Sequence, residues 1–188
     1  MIKFTQHTLQ TAPAAAQPLL EQARNKWGFL PTLHATLAES PAALEAYATL
    51  FELLAKTSFS AIEVQVVCLA VSVFHECEYC TAGHTYLARS AGMAENVLSA
   101  LRGGTVIADP RLQALRAFTE QVLQQRGFAG DAAVETFVAA GFTRAQVLEV
   151  VMVIATKTIS NYVNHLAHTP KESFMADPTL GWSAPRNR

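Results

Sequence analysis

The sequence predicts an all-α protein, and three observations carry that prediction. Helix-capping residues recur before apolar segments, glycines stand where those segments would end, and no run shows the period-2 alternation of a half-buried strand. The 188 residues are 51% hydrophobic and 15% charged. A chain of this length and composition can bury a hydrophobic core that needs no disulfide bonds or metal ions to stabilise it. We therefore expect residues 1–188 to form a single helical domain.

Each predicted helix begins at a recognisable cap. Ser60 and Glu63 have the spacing of a capping box, in which the first backbone amides of a helix are satisfied reciprocally. Thr143 and Gln146 have the same spacing, and serine or aspartate before proline marks further helix starts. These signals also predict helices from Pro41 to about Leu54, from Pro110, at 94–102 and at 131–140, with helix ends at Gly92, Gly127 and Gly141.

The segment Val64–Phe74 is an apolar run whose pattern alone does not decide its conformation. It is rich in β-branched residues and suits a buried strand as well as a buried helix. A strand here, leading into the cysteines that follow, would resemble a thioredoxin active site, but that fold needs more strands than this chain offers. Because a capping box precedes the run, and because of its length, we predict a helix.

A weak internal repeat is suggested by two capped segments, FSAIEV and FTRAQV, each followed by an apolar run. Under this alignment Ser160 and Val163 stand where the first copy has Cys77 and Cys80. A duplication of this kind would have kept the thiols in the first copy only.

Charge and hydropathy limit the partners and the cellular compartment that we expect for the protein. The net charge of −1 and the absence of a basic run argue against a nucleic-acid partner. The first twenty residues lack the apolar core of a signal peptide, and the longest apolar runs fall short of the roughly 18–20 residues that a membrane span needs. Three cysteines leave one unpaired, unlike a secreted disulfide framework. We expect a cytoplasmic protein without a membrane partner.

The stretch FHECEYCTAGH, residues 74–84, bears most directly on function. If a helix begins at about Cys77, then Cys77, Cys80 and His84 lie on one helical face. The helix N-terminus favours a thiolate, and a histidine can hold or accept the proton. An activated thiolate, a second thiol one turn away and a base are what dithiol–disulfide exchange requires. The pattern predicts a redox pair and leaves open which cysteine attacks.

Two other interpretations of the same residues stay open. A structural zinc site could use the two cysteines and His84 with a fourth ligand from His75, His165 or His168, although no second ligand pair has zinc-finger spacing. Alternatively, the thiols are inert and buried. Cys68, in the middle of the apolar run, is predicted to be a core residue.

These residues carry a resemblance to a known family. VQVVCLAVSVFHECEYCTAGH, residues 64–84, resembles the AhpD-like group of the carboxymuconolactone decarboxylase superfamily, and the resemblance extends over about residues 28–170. It implies an all-helical AhpD-like bundle and a CxxC-dependent alkyl hydroperoxide reductase or protein disulfide reductase. It also implies a peroxide or disulfide substrate, an unidentified thiol electron donor, and no cofactor or metal. Together with the apolar composition, it implies a homo-oligomer, a trimer or a hexamer.

The resemblance also assigns roles within the site. In the family a glutamate, two cysteines and a histidine form a proton relay, which Cys77, Cys80 and His84 match directly. The position of the glutamate is occupied by Gln65, which cannot exchange a proton. Glu63 is the expected substitute, although it also completes a capping box. The analogy favours Cys80 as the attacking thiol.

Three further expectations concern the rest of the chain. Lactone decarboxylation, the other chemistry of the superfamily, does not rely on a CxxC pair, so the thiols argue against it. Tyr79 is expected to pack or to face the substrate. Asn161, Asn164, His165 and His168 are expected to form an exposed polar stripe or a charge complement to the C-terminus of the last long helix, and the alternative is that they line a subunit contact or the rim of the site.

Overall fold

The computed structural model describes residues 3–184, and the regular elements in that range are all helical. This confirms the all-α prediction. In chain order the helices are α1 (Gln17–Trp27), α2 (Thr32–Leu37), α3 (Pro41–Leu54), α4 (Ala61–Phe74), α5 (Glu78–Ser90), α6 (Glu95–Gly103), α7 (Pro110–Gln124), α8 (Asp131–Ala139) and α9 (Arg144–Ala167), followed by a 3-10 turn at Ser173–Ala176.

The predicted capping boxes are present. The amide of Glu63 donates to Ser60 Oγ at 3.2 Å, and the amide of Ser60 donates back to Glu63 Oε2 at 2.8 Å. Thr143 and Gln146 make the same reciprocal pair at the start of α9. The ambiguous segment Val64–Phe74 lies inside α4 and is helical, as predicted.

The predicted helix ends are also confirmed. Gly92, Gly127 and Gly141 follow α5, α7 and α8 and have φ values of 81°, 88° and 92°. Glycine adopts this left-handed conformation without the penalty that a Cβ imposes.

Helix α4 is the centre of the fold. It packs against α5, α6, α7 and α9. Val66, Val67, Leu69 and Val71 are completely buried, on several sides of the helix. A helix surrounded in this way has no polar face, which is why its sequence pattern did not distinguish it from a buried strand.

The turn between α4 and α5 places the start of α5 beside the end of α4. Glu76 has a φ of 55°, and the amide of Cys77 donates to the carbonyl of Ser72 at 2.9 Å. Cys77 is the N-cap of α5, in agreement with the predicted helix start. Helix α9 packs against both α4 and α5.

Helices α1 and α2 were not predicted. Their buried residues join α3 in a second apolar cluster that includes Leu20, Leu33, Leu44 and Tyr47. Helix α2 has only six residues, and the N-cap residue of α1, Ala16, makes no side-chain cap. In place of strong local signals, α1 is stabilised by packing against α2 and α3, and α2 by packing against α3 and α9.

Two further expectations, on membrane spans and on the internal repeat, both concern α9. Within residues 3–184 no single helix is long and apolar enough to cross a membrane, and only α8 with α9, bent by 111°, would satisfy length and composition as a pair. The internal repeat stays a prediction. Its first copy breaks after Phe74, whereas α9 continues without a break to Ala167.

Candidate functional site

The three residues of the CxxC…H pattern lie together on the buried face of α5. Cys77, Cys80 and His84 are 1%, 3% and 5% exposed. Cys77 Sγ accepts a hydrogen bond from the Cys80 amide at 3.4 Å, so the first thiol caps the helix that carries the second. Both cysteines are free thiols. The structure therefore brings these three predicted site residues into one cluster.

Polar side chains of α9 cover the two sulfur atoms. Asn164 Nδ2 lies 3.2 Å from Cys80 Sγ and 3.9 Å from Cys77 Sγ. Ser160 Oγ lies 3.7 Å from Cys80 Sγ. The Asn164 amide is a hydrogen-bond donor, and a donor in this position stabilises a negative charge on sulfur.

The prediction of an exposed polar stripe on α9 is wrong for two of its four residues. Asn161 is completely buried and Asn164 is 6% exposed, whereas His165 and His168 are exposed. The two asparagines share the helical face that packs against α5, and burial there follows from helix packing, which the local sequence does not report.

Lys157 completes the cluster and was not anticipated from the sequence. Its side chain is 1% exposed, and its ammonium donates to His84 Nε2 at 2.8 Å and to Ser160 Oγ at 3.0 Å. The available signal was its spacing, because Lys157, Ser160 and Asn164 stand at i, i+3 and i+7 on one face of an apolar helix.

The protonation of His84 follows from its two partners. Because the Lys157 ammonium can only donate, Nε2 must accept, and the proton lies on Nδ1, 2.8 Å from Gln65 Oε1. Burial and the positive charge of Lys157 lower the pKa of His84 well below its ordinary value. His84 is therefore a neutral imidazole whose ring nitrogens both have partners.

Glu63 is held away from this cluster. Its carboxylate accepts from Arg111 Nε at 2.9 Å and from the amide of Ser60 at 2.8 Å. Burial opposes ionisation, but the bonds from Ser60 and Arg111 outweigh it and hold the pKa of Glu63 below its ordinary value. The structure does not bring Glu63 to His84, and Gln65 occupies the position beside the imidazole.

The surroundings of the three thiols shift their pKa values differently. Burial opposes ionisation of Cys80, but a hydrogen bond from Cys77 and the charge of Lys157 outweigh it, so the pKa of Cys80 is well below that of an ordinary thiol. The hydrogen bond to Cys80, together with burial, raises the pKa of Cys77. Burial raises the pKa of Cys68 to about 12, as suits the predicted core residue. Cys80 is thus the more acidic thiol of the pair and Cys77 the less acidic one.

A cavity of about 590 Å³ opens onto Cys80, and its lining also includes His84 and Lys157. Cys77 does not line it. The walls are rich in aromatic rings, from Trp27, Phe29, Phe51, Tyr79, Tyr86 and Phe174. A molecule in this cavity would meet Cys80 before Cys77.

The C-terminal segment forms one side of the cavity. Glu172 Oε1 accepts from the Tyr79 hydroxyl at 2.6 Å and from the amide of Thr32 at 2.7 Å. Phe174 packs edge-on against Phe29. Tyr79 therefore lines the cavity, as its predicted substrate-facing role requires, and also anchors this segment.

The zinc interpretation finds no support in the described part of the chain. Between residues 3 and 184, no three His, Cys, Asp or Glu side chains are grouped so that they could hold a metal ion. The ring nitrogens of His84 are both engaged, by Gln65 and Lys157.

Comparison with known proteins gives one family match. Residues 41–121 match the carboxymuconolactone decarboxylase family. No curated protein matches the chain.

Several solved structures share the fold. The alkylhydroperoxidase AhpD core of an uncharacterised peroxidase-related protein from Ralstonia eutropha JMP134 superposes with a TM-score of 0.79 and 19% identity, over 93% of this chain and 96% of that one. A peroxidase-related protein from Silicibacter sp. TM1040 gives 0.79 and 17%, over 94% and 93%. The debrominase Bmp8, as a cysteine-to-alanine variant in complex with 2,3,4-tribromopyrrole, gives 0.76 and 16%, over 94% and 95%. The fold is therefore AhpD-like.

Proposed function

We propose that the chain is an AhpD-like member of the carboxymuconolactone decarboxylase family, whose model matches residues 41–121, and that it is a thiol-dependent oxidoreductase. In this proposal Cys80 and Cys77 reduce an organic hydroperoxide or the disulfide of a partner. The observation that carries it is the division of roles within the pair. Cys80 faces the cavity beside donors that favour a thiolate, and Cys77 remains a thiol one helical turn away.

The first step with a hydroperoxide is attack by the Cys80 thiolate on the terminal oxygen. An S–O bond forms, the O–O bond breaks, and the leaving alkoxide takes a proton to become the alcohol. Cys80 is left as a sulfenic acid. Lys157, 2.8 Å from His84 Nε2, lines the cavity with Cys80 and in this proposal supplies the proton to the alkoxide.

The second step closes the disulfide. Cys77 gives up its proton and attacks Cys80 Sγ, the S–S bond forms, and the departing hydroxide leaves as water. The sum is one hydroperoxide and two thiols converted to one alcohol, one water and one disulfide. A dithiol donor then restores both cysteines by exchange. With a disulfide substrate, Cys80 attacks sulfur in place of oxygen.

The cavity suggests what the substrate carries. A volume of about 590 Å³ with aromatic walls suits a hydroperoxide with a bulky apolar group better than hydrogen peroxide. Lactone decarboxylation gains nothing from these features, because the group that faces the cavity is a sulfur nucleophile beside its resolving thiol.

A second candidate is reductive dehalogenation of an aromatic compound. The aromatic cavity on Cys80 favours it, as does the likeness to a debrominase crystallised with a brominated pyrrole. Two thiols would replace carbon-bound bromine by hydrogen and release bromide, leaving the same Cys77–Cys80 disulfide. Bromide release from a bromopyrrole by the reduced protein would favour this candidate over the first.

The proposal also covers the cellular compartment and the oligomeric state of the protein. A reducing cytoplasm would keep the three cysteines as thiols, the state in which all three occur here. The homo-oligomer that we propose would cover exposed apolar residues along α9, namely Leu148, Val151, Tyr162 and Leu166.

The proposed function is tested by the stoichiometry of a single turnover. Reduced protein is mixed with one equivalent of cumene hydroperoxide, and thiols, alcohol and disulfide-linked peptides are measured. We expect two thiols lost per alcohol formed, with Cys77 and Cys80 joined and Cys68 unchanged. An intact Cys77–Cys80 dithiol after exposure to the hydroperoxide would refute the peroxidase proposal.

A further inference from the structure

Lys157 is a buried cation whose contacts carry no negative charge. Its ammonium, on a side chain 1% exposed, is bonded to a neutral imidazole nitrogen and to the Ser160 hydroxyl. A buried charge without an opposite charge is strongly unfavourable. Ser160 Oγ lies 3.0 Å from the ammonium and 3.7 Å from Cys80 Sγ, so the hydroxyl links the cation to the sulfur.

His84 is placed so that it cannot be the cation of this site. Its Nδ1 proton points at the amide oxygen of Gln65, and its Nε2 accepts from Lys157. A carboxylate at position 65 would stabilise an imidazolium, whereas the neutral amide does not. A neutral His84 can accept from Lys157, and an imidazolium could not.

We propose that Lys157 is the positioning residue that supplies the positive charge for the Cys80 thiolate, in place of a protonated His84, and that Gln65 makes this exchange feasible. The inference rests on the proposed function and specifies how its nucleophile is maintained. Other titratable groups on the surrounding elements are Lys26 of α1, His34 of α2, Tyr47 of α3, Cys68 of α4, His75 after α4, Cys77, Tyr79, His84 and Tyr86 of α5, and Glu172 of the C-terminal segment.

The inference predicts the effect of removing the cation. Lys157→Met keeps an unbranched side chain but has no charge. The pKa of Cys80 should rise by more than one unit, which lowers the thiolate fraction by at least about tenfold at pH values well below the wild-type pKa of Cys80. The rate at which iodoacetamide alkylates Cys80, followed by peptide mass against pH, measures this without any substrate. Lys56→Met, at an exposed lysine, is the matched control and should leave the profile unchanged.

A second variant tests the exchange of roles. In Gln65→Glu/Lys157→Met, the new carboxylate faces His84 Nδ1 and the ammonium no longer blocks Nε2, so His84 can become the cation. We expect the alkylation rate at neutral pH to recover by at least about fivefold relative to Lys157→Met, since an opposite charge nearby shifts a pKa by about one to three units. A purely structural role for Lys157 would not produce this recovery.

The outcomes are decisive in both directions. An alkylation profile that is unchanged in Lys157→Met overturns the inference, even if peroxide turnover persists in the wild type. A double variant no faster than Lys157→Met overturns the exchange with His84. If Lys157→Met does not fold, Lys157→Gln, which keeps hydrogen-bonding capacity without charge, should give the same shift. The expected shifts in the alkylation profiles, with no hydroperoxide turnover in the wild type, would instead count against the proposed function alone.

Discussion

Replacement of Cys80 by serine is expected to lower the rate of hydroperoxide reduction by at least about 1,000-fold, the scale on which enzymes lose activity with their nucleophile. Cys80 is the thiol that lines the cavity, and Asn164 and Ser160 stand beside its sulfur. A serine hydroxyl is not ionised at neutral pH and cannot take the place of the thiolate. The measurement is kcat/KM for cumene hydroperoxide with an excess of a dithiol donor.

The matching change at Cys77 should have a different signature. Cys77→Ser keeps a side chain that can cap α5 and hydrogen-bond to Cys80, but it removes the resolving thiol. Cys80 should then react once and remain as a sulfenic acid, which dimedone labels. Cys68→Ala, at the buried core cysteine, is the control and should retain turnover. A Cys80→Ser protein that turns over normally, or sulfenic acid found on Cys77, would reverse the assigned roles.

Asn164→Asp is expected to give the second-largest loss of activity. Asn164 Nδ2 lies 3.2 Å from Cys80 Sγ, and the change replaces this donor by a carboxylate of nearly the same shape. Losing a hydrogen bond to a charged group costs about 1.5–3 kcal/mol, or about 10- to 150-fold in thiolate population, before any repulsion between the two negative charges.

The sign of the pH effect follows from this repulsion. A nearby negative charge raises the pKa of Cys80, so the loss should be large at pH 7 and should shrink as the pH rises. The pH profile of hydroperoxide kcat/KM is the measurement. Asn96→Asp, on an exposed face of α6, adds the same charge away from the site and should leave the profile unchanged. Equal losses of kcat/KM in the two variants would show that Asn164 does not stabilise the Cys80 thiolate.

Local rules of the sequence were sufficient for most of the fold. Ser60 and Thr143 start α4 and α9, because a capping box depends only on residues three positions apart. The α4–α5 hairpin and the N-cap at Cys77 were within reach for the same reason. Helix α2, by contrast, is six residues long and held by packing against α3 and α9, which no local signal reports.

Only part of the candidate site could be predicted from the sequence. Cys77, Cys80 and His84 were found because a single helix holds them at fixed spacing. Lys157 and Asn164 come from α9, more than seventy residues away in the chain, and reach His84 and Cys80 Sγ, respectively, only through tertiary packing. A lysine in an apolar run is ordinarily expected at the surface, and only the structure shows its side chain to be buried against His84.

The roles predicted for Glu63 and Gln65 also depend on tertiary contacts, which the sequence alone does not report. Glu63 was expected to act because it is the nearby carboxylate, but the guanidinium of Arg111, on a different helix, holds it. Gln65 was set aside because it cannot exchange a proton, yet its amide oxygen is what faces His84. In this proposal Glu63 serves the start of α4 and has no part in the chemistry.

The central claim is that Cys77 and Cys80 form a two-electron redox couple, and a redox titration tests it most directly. The protein is equilibrated with thiol–disulfide buffers of graded potential, and the oxidation state of each cysteine is read by mass after alkylation. We predict that the two cysteines oxidise together, with a tenfold change in ratio for about every 30 mV, while Cys68 stays reduced. A pair that remains reduced across the accessible range of potentials would contradict the account.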